Sequence, residues 1–462
     1  MVAPRKRPNI LVVVLDSARA DRMSGYGYAK PTTPHLDDMA DAGIRFAAAT
    51  SESTWTLPVA FTLLTGLTPR EHRGEAHRRL PAELPSLAEV LQQAGYDTFA
   101  GSANAFLGPR CGLHRGFRTF TFPTKHLRLT RYFVRYLAQP AGWTDEGGAA
   151  LIASFLKWLR RASEPWFALL WLDEVHYPYV APQPYTTRFC TRPLGFARRL
   201  HLARRMRSAL NVAATANEQE LEDLRGLYDG GVAYADMLLG RLRAALQERG
   251  LWADTRTVIL GDHGDMLGEK GLVGHGAGAS IYQPLIHIPL IMHAPELGTQ
   301  GLVSSALVQV ADVTETVAAW AGVASDLPES GAGRVNLLNA ATGDGRLAAF
   351  CERDALTERR RKREQQRTPA FDLTPHQCHE AAVLAYGWKL IERSDGRNEL
   401  YHLASDPHEE HDRFATEPQQ AAELLRVAAD LRAGIAPHAA TKDLSVDESA
   451  IVEQRLRDLG YI

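Results

Sequence analysis

Residues 9–16 read N-I-L-V-V-V-L-D. The apolar run is continuous, not alternating, which is the pattern of a strand buried on both faces of a parallel sheet. It holds six apolar residues before Asp16, far short of the roughly 18 that a membrane span needs. No small-residue cleavage site follows it, so the basic start M-V-A-P-R-K-R is not read as a signal peptide. No other stretch approaches a span. The chain is therefore expected to be soluble and cytoplasmic, with no membrane partner.

Two further runs share this texture. W-F-A-L-L-W-L at 166–172 leads into Asp173, and R-T-V-I-L-G at 256–261 leads into Asp262. A fourth apolar strand is expected over 288–292, and shorter ones over 44–49 and from 97. Helical spacing is read over 33–42, 86–94 (Ser86 as cap, Gly95 as stop), 148–161, 218–249 and 313–321. Apolar strands alternating with amphipathic helices predict an α/β fold, a mostly parallel central sheet flanked by helices. Ligands bind such sheets beyond the carboxyl ends of the strands. Asp16, Asp173 and Asp262 each end a predicted strand, so one shared site is expected there.

A chain of 462 residues exceeds what one core usually serves. Residues 1–345 are read as a catalytic domain and 346–462 as a smaller α+β subdomain. Its short antiparallel sheet is read from A-A-V-L-A-Y-G-W-K-L-I-E-R (381–393) and E-L-Y-H-L (399–403), with a helix over 417–432. The charged run 355–367 is expected to be exposed. The arginine-rich segment 198–207 reads first as a solvated helix face, with an anionic-substrate cap or a partner surface as the alternatives. A net charge of -2 argues against a nucleic-acid partner. Cys111, Cys190, Cys351 and Cys378 lie far apart without a C-x-x-C pair, which argues against a zinc–cysteine site and a disulfide framework.

The segment T-W-T-L-P-V-A-F-T-L-L-T-G spans 54–66. Thr56 reads either as a helix N-cap or as a nucleophile at a helix N-terminus, where backbone N–H groups favour an anion. D-H-G at 262–264 follows a buried strand. Asp16, Asp262, His263 and the Thr56 hydroxyl form a donor set suited to one divalent cation. His176 in D-E-V-H-Y-P-Y and His275 in L-V-G-H-G-A-G lie in polar loops. A lone loop histidine is commonly bonded to backbone. The functional alternatives are donation to anionic substrate oxygens and protonation of a leaving group.

These residues resemble a family. V-V-V-L-D-S-A-R-A-D-R-M-S-G-Y-G-Y, T-P-H-L-D-D-M-A, the T-W-T-L-P…L-L-T-G segment, G-D-H-G-D-M-L-G-E-K-G-L-V-G-H-G, N-E-L-Y-H-L-A-S-D-P-H-E-E and the ending L-R-D-L-G-Y-I look like the sulfatase-like branch of the alkaline phosphatase superfamily. The resemblance implies an alkaline-phosphatase-like core that binds a divalent metal. By motif position it implies Asp16, Asp262 and His263 as ligands and Thr56 as the nucleophile that also contacts the metal. It sets His176 and His275 toward the substrate, and gives Arg19 and Asp21 a structural role.

The departures carry information. Sulfatases of the resembled branch carry C/S-x-P-x-R, with the Cys or Ser oxidised to formylglycine. Here the stretch is Thr56-Leu57-Pro58-Val59-Ala60. Oxidising a threonine side chain yields a ketone, so the aldehyde route is closed. Ser17 stands where such sulfatases place a second acid. The pattern looks more like the superfamily's phosphodiesterases, phosphonate monoester hydrolases and phosphoethanolamine transferases. The expected function is metal-dependent hydrolysis of phosphate or related (phosphonate, sulfate) esters through a covalent threonine intermediate. The alternatives are a soluble group transferase using the same intermediate, or a catalytically silent binding protein. One divalent metal (Zn, Mn, Ca or Mg) is expected, with a second, assisted by Asp173 and His176, as a lesser alternative. The expected partner is an anionic small-molecule ester, and a homo-oligomer is open.

Overall fold

The structure, a computed structural model, describes residues 7–435 apart from 74–78, 105–106, 123–141, 207–208, 276–279, 295, 297, 299, 344 and 357. The ending L-R-D-L-G-Y-I lies outside the described residues. The strands, in chain order, are β1 (Asn9–Leu15), β2 (Ile44–Thr50), β3 (Asp97–Ser102), β4 (Thr119–Thr121), β5 (Trp166–Leu172), β6 (Thr255–Gly261), β7 (Met266–Leu267), β8 (Val273–Gly274), β9 (Leu290–His293), β10 (Leu302–Gln309), β11 (Ala348–Arg353), β12 (Glu380–Ala385), β13 (Trp388–Arg393) and β14 (Glu399–His402).

β1 is buried along its whole length, as its unbroken apolar run requires. It sits in the middle of an 8-stranded sheet ordered β10-β2-β9-β6-β1-β5-β3-β4. Neighbours are parallel except at β9, which runs antiparallel to both β2 and β6. An apolar run fixes burial but not direction, so the sequence foretold a strand here without its sense. β10 also went unread. As an edge strand it is partly exposed and carries serines and a glutamine, so no clean period marks it.

Alternation along the strands divides the sheet into two cores. Ile10, Val12 and Val14 pack with Phe167, Leu169, Trp171, Val258 and Leu260 under the Thr56–Thr65 and Val310–Ala321 helices. Leu11, Val13 and Leu15 pack on the other face with Leu170, Leu172 and Ile259 under the Gly148–Leu159 and Glu218–Glu248 helices. Each such aliphatic side chain contributes roughly 1.5–3 kcal/mol by leaving water.

Register brings the three acids together. Leu15 lies opposite Leu172 on β5 and Gly261 on β6. The next residue on each strand is Asp16, Asp173 or Asp262. Three adjacent strands thus present three carboxyls at one edge of the sheet.

The Thr56–Thr65 helix has all its residues buried. Pro58 fits its first turn, where a missing N–H costs nothing. Gly66, at φ 69°, ends it, and its N–H reaches the Thr62 carbonyl at 2.7 Å. The cap expectation fails here. Trp55 occupies the N-cap position with extended backbone, and Thr56 is the first helical residue. Its hydroxyl is therefore not occupied in capping.

His72, buried at 1% exposure, braces this helix. Its Nε2 lies 3.1 Å from Thr62 Oγ1, its ring packs edge-on to Phe61, and it also reaches the Pro58 carbonyl. Burial lowers its pKa to about 3. The folded state thus keeps His72 neutral while the unfolded state takes a proton below about pH 6.5. Stability from this group is full above that pH and falls as pH drops toward 3. Unfolding free energy should be about 2 kcal/mol lower at pH 5 than at pH 7 on this account. Denaturant melts of wild type and His72→Gln check it: the variant should show a flatter pH dependence, and parallel curves would refute the assignment.

The arginine-rich segment forms the Phe196–Arg205 helix. Arg198 pairs with Asp223 and Arg205 with Glu220, so these arginines tie it to the long Glu218–Glu248 helix, and Arg192, just before it, also meets Asp223. The four cysteines are free thiols. The charged run contains a helix, Glu358–Arg367. No described helix is long and apolar enough to cross a membrane.

β11 to β14 form a separate antiparallel sheet, of which sequence showed three strands. One face joins a cluster in which Met266, Leu272, Ile281, Tyr282, Leu285 and Ile286 meet Ala349, Cys351, Ala382, Leu384, Ile391 and Tyr401. Charged groups reinforce this seam. Lys389 and Glu409, both fully buried, pair at 2.5 Å, and Glu409 Oε2 accepts the Gln283 N–H at 2.7 Å. Glu380 accepts the Ser280 hydroxyl through either oxygen.

Candidate active site

The site is assembled at the carboxyl ends of β1 and β6, below the first turn of the Thr56 helix. Asp16, Asp262 and His263 offer ligand atoms within 4.8 Å of one another, and among the described residues they are the one group of three or more such side chains. His263 Nε2 lies 3.4 Å from Asp262 Oδ2 and 3.9 Å from Asp16 Oδ1. Thr56 Oγ1 joins them, 3.2 Å from His263 Nε2. All four side chains are buried.

Local hydrogen bonds set the donors. His263 Nδ1 faces the Gly264 carbonyl at 2.9 Å. A carbonyl only accepts, so Nδ1 carries the proton and Nε2 presents its lone pair to the cluster. Asp262 Oδ1 accepts the backbone N–H groups of Ser17 and His263 at 2.9 and 2.7 Å, while its Oδ2 is buried without a hydrogen-bond partner. Ser17 holds a positive φ of 61°, which costs a non-glycine residue of order 1 kcal/mol. That conformation accompanies a double contact: its N–H reaches Asp262 and its hydroxyl reaches Asp16 Oδ1 at 3.1 Å. The Tyr228 hydroxyl holds its carbonyl at 2.7 Å.

The charges are poised for a cation. Burial pushes the Asp262 carboxyl well above the usual range, and the Asp16 charge adds to this. Burial also raises Asp16, but His176, His263, His275 and Asn104 together outweigh it and hold the carboxyl below its ordinary value. Burial and the charges of Asp16, Glu146, Glu174 and Asp262 drive the Asp173 carboxyl well up. Two carboxylates, an imidazole lone pair, a hydroxyl and an orphaned buried oxygen suit a divalent ion.

His275 and His176 reach the same place. The His275 ring centroid lies 4.4 Å from that of His263 and 4.9 Å from that of His176. Tyr177 packs on both loop histidines. Burial lowers His176 to about 4 and holds His275 well below its ordinary value. The structure thus brings Thr56, Asp16, Asp262, His263, His176 and His275 together. Arg19 forks onto Asp21, and also meets Glu269 and the Asp265 carbonyl.

Sequence reasoning missed four contributors. Asp265 Oδ1 meets His275 Nδ1 at 2.5 Å, and its Oδ2 accepts the Tyr179 hydroxyl at 2.8 Å, which fixes the His275 ring. Its position in G-D-H-G-D, three residues beyond Asp262, was the available signal. Asn104 and Trp171 both donate to Asp16 Oδ2. Trp171 lies in an apolar strand and reads as core; Asn104 lies in a short polar stretch with no motif of its own.

A family model described as Sulfatase matches residues 8–323. The multifunctional alkaline phosphatase superfamily protein PehA of Trinickia caryophylli is 24% identical over 87% of this chain and 90% of its own length. Among solved structures, the phosphonate monoester hydrolase of Agrobacterium radiobacter superposes with a TM-score of 0.72 at 23% identity, over 93% of this chain and 95% of that one. The phosphonate monoester hydrolase of Silicibacter pomeroyi gives 0.70 at 23% identity, over 92% and 94%. The chain belongs to the Sulfatase family, and by that membership it is a sulfatase-like ester hydrolase.

Proposed function

We propose that the protein hydrolyses phosphonate, phosphate or sulfate esters of small molecules, with Thr56 Oγ1 as the attacking group. The observation that carries this reading is the 3.2 Å approach of Thr56 Oγ1 to His263 Nε2 inside the buried Asp16–Asp262–His263 cluster. Those three residues would hold one divalent cation, which when bound favours the deprotonated Thr56 hydroxyl and polarises a phosphoryl or sulfuryl oxygen. An imidazole ligand among few carboxylates favours Zn or Mn over Ca.

In the proposed first step Thr56 Oγ1 bonds to phosphorus or sulfur as the ester oxygen leaves. The Thr56 proton passes to the neutral imidazole of His275 or His176 and from there to that oxygen as it departs. Water then attacks the threonine ester, the bond to Oγ1 breaks, and the hydroxyl is restored. His176, His275 and Tyr177 would bound the space for the substrate's anionic group. Arg19 is committed to Asp21, Glu269 and a backbone carbonyl, so it adds no free positive charge. A singly charged ester, such as a phosphonate monoester or phosphate diester, then fits better than a doubly charged monoester. The likeness to PehA and to the two phosphonate monoester hydrolases supports the same class.

The test is a panel of aryl phosphonate, phosphodiester, phosphate monoester and sulfate substrates assayed with Zn, Mn, Ca and Mg. The phosphonate or diester should exceed the phosphate monoester in kcat/KM by about tenfold or more, equivalent to about 1.4 kcal/mol. Absence of turnover on all four classes with every metal would sink the hydrolase reading.

A further inference from the structure

Asp262 spends one carboxylate oxygen on the protein, and Asp16 spends one on two donors while its other accepts the Ser17 hydroxyl at 3.1 Å, leaving Asp262 Oδ2 and Asp16 Oδ1 as the oxygens nearest His263 Nε2. They do so by different means. The anchored oxygen of Asp262 is held by backbone N–H groups, which the chain path fixes. The anchored oxygen of Asp16 is held by side chains, Asn104 Nδ2 at 2.8 Å and Trp171 Nε1 at 3.0 Å. Both donors are buried at 2% exposure or close to it. Neither an indole N–H nor an amide NH₂ can ligate a cation; each can only donate.

A carboxylate oxygen has two in-plane lone pairs, and here both are taken. Asp16 Oδ2 is therefore closed to coordination, and Oδ1, which accepts the Ser17 hydroxyl with one lone pair, keeps the other for a cation. Strand geometry makes this possible. Trp171 on β5 stands opposite both Val14 of β1 and Ser102 of β3. Val14 and Trp171 share the face that packs under the Thr56 helix. The indole thus lies between the strand bearing Asp16 and the strand leading to Asn104.

We propose that Asn104 and Trp171 are positioning residues of the metal centre. They make Asp16 a one-oxygen ligand and fix its rotation before any cation arrives. The inference rests on the metal reading of Asp16, Asp262 and His263 given above. Partners of this kind around a ligand commonly change metal affinity by about 10- to 100-fold. Without them Asp16 is free to rotate or to offer both oxygens, and the ordering cost falls on the binding step. Trp171 also makes the site self-reporting. A cation draws charge from Asp16, weakens the bond to the indole N–H and changes the emission of that tryptophan.

The experiment titrates the cation-free full chain with Zn²⁺ against a competing chelator, following bound Zn²⁺ and tryptophan emission. Wild type should bind about one equivalent. Asn104→Ala and Trp171→Phe should each bind about 10- to 100-fold more weakly. The emission change should persist in Asn104→Ala and vanish in Trp171→Phe. Folded variants that match wild-type affinity would overturn the proposal, and Asn104→Ala decides it alone should Trp171→Phe not fold. A wild type that binds no Zn²⁺ would overturn the metal reading beneath it, a distinguishable result.

Discussion

Thr56→Ala should abolish turnover, with kcat falling about 10³-fold or more, while the fold survives. Thr56 is the first residue of a fully buried helix and does not cap it. Alanine is a better helix former than threonine by a few tenths of a kcal/mol, so the melting temperature should hold or rise slightly. The loss would then be chemical. No neighbouring hydroxyl substitutes for it in the cluster, where Oγ1 of Thr56 alone approaches His263 Nε2 among the described residues. Thr56→Ser keeps a hydroxyl and should recover much of the rate, less what the lost methyl contributed to holding its rotamer. Rapid quenching with a phosphorus-labelled substrate should leave label on the wild-type protein and none on Thr56→Ala. Activity within about tenfold of wild type in the alanine variant would end the nucleophile claim.

Asp262→Asn should separate stability from activity. Asp262 is fully buried, its Oδ2 has no hydrogen-bond partner, and burial together with the Asp16 charge works against its ionised form. An asparagine keeps the oxygen that accepts from Ser17 and His263, and turns an NH₂ toward the His263 lone pair. The cation-free protein should therefore gain about 1–3 kcal/mol. The same change removes a charged ligand. Added Zn²⁺ or Mn²⁺ should raise the wild-type melting temperature through binding to the folded state and leave the variant nearly unmoved. Activity should fall by about 10³-fold. The check is a pair of thermal melts, with and without metal, beside a kcat measurement. A variant stabilised by metal as strongly as wild type would remove Asp262 from the ligand set.

Legibility in the sequence followed burial. β1, β5 and β6 were readable because both faces are covered, which leaves an unbroken apolar run. The direction of β9 was not readable, because that run is the same in either sense. β10 and β11 were lost for the opposite reason, their mixed polarity giving neither a run nor a clean alternation. In the site, Asp16 and Asp262 stood out because each directly follows a buried strand, and His263 because it follows Asp262. Trp171 was hidden by its own apolarity. Trp171 belongs to the core cluster, and the donor that meets Asp16 has no sequence signature. Thr56 was placed one position off, since a threonine before a proline reads as a cap while the chain turns into helix a residue earlier.

The seam between the catalytic sheet and β11 to β14 bears on how the chain is made. The segment from Met266 to Ile286, which carries His275, shares its buried cluster with eight residues between 349 and 401. Its buried anchors, Glu380 and Glu409, also lie late in the chain. During synthesis Asp16, Thr56, Asp262 and His263 emerge first, with Asp265 and Tyr179 that fix the His275 ring, and the surface that the 266–286 segment packs on emerges only afterward. A nascent chain halted near residue 345 would therefore carry Thr56 and His275 without the late residues that cover the segment bearing that histidine.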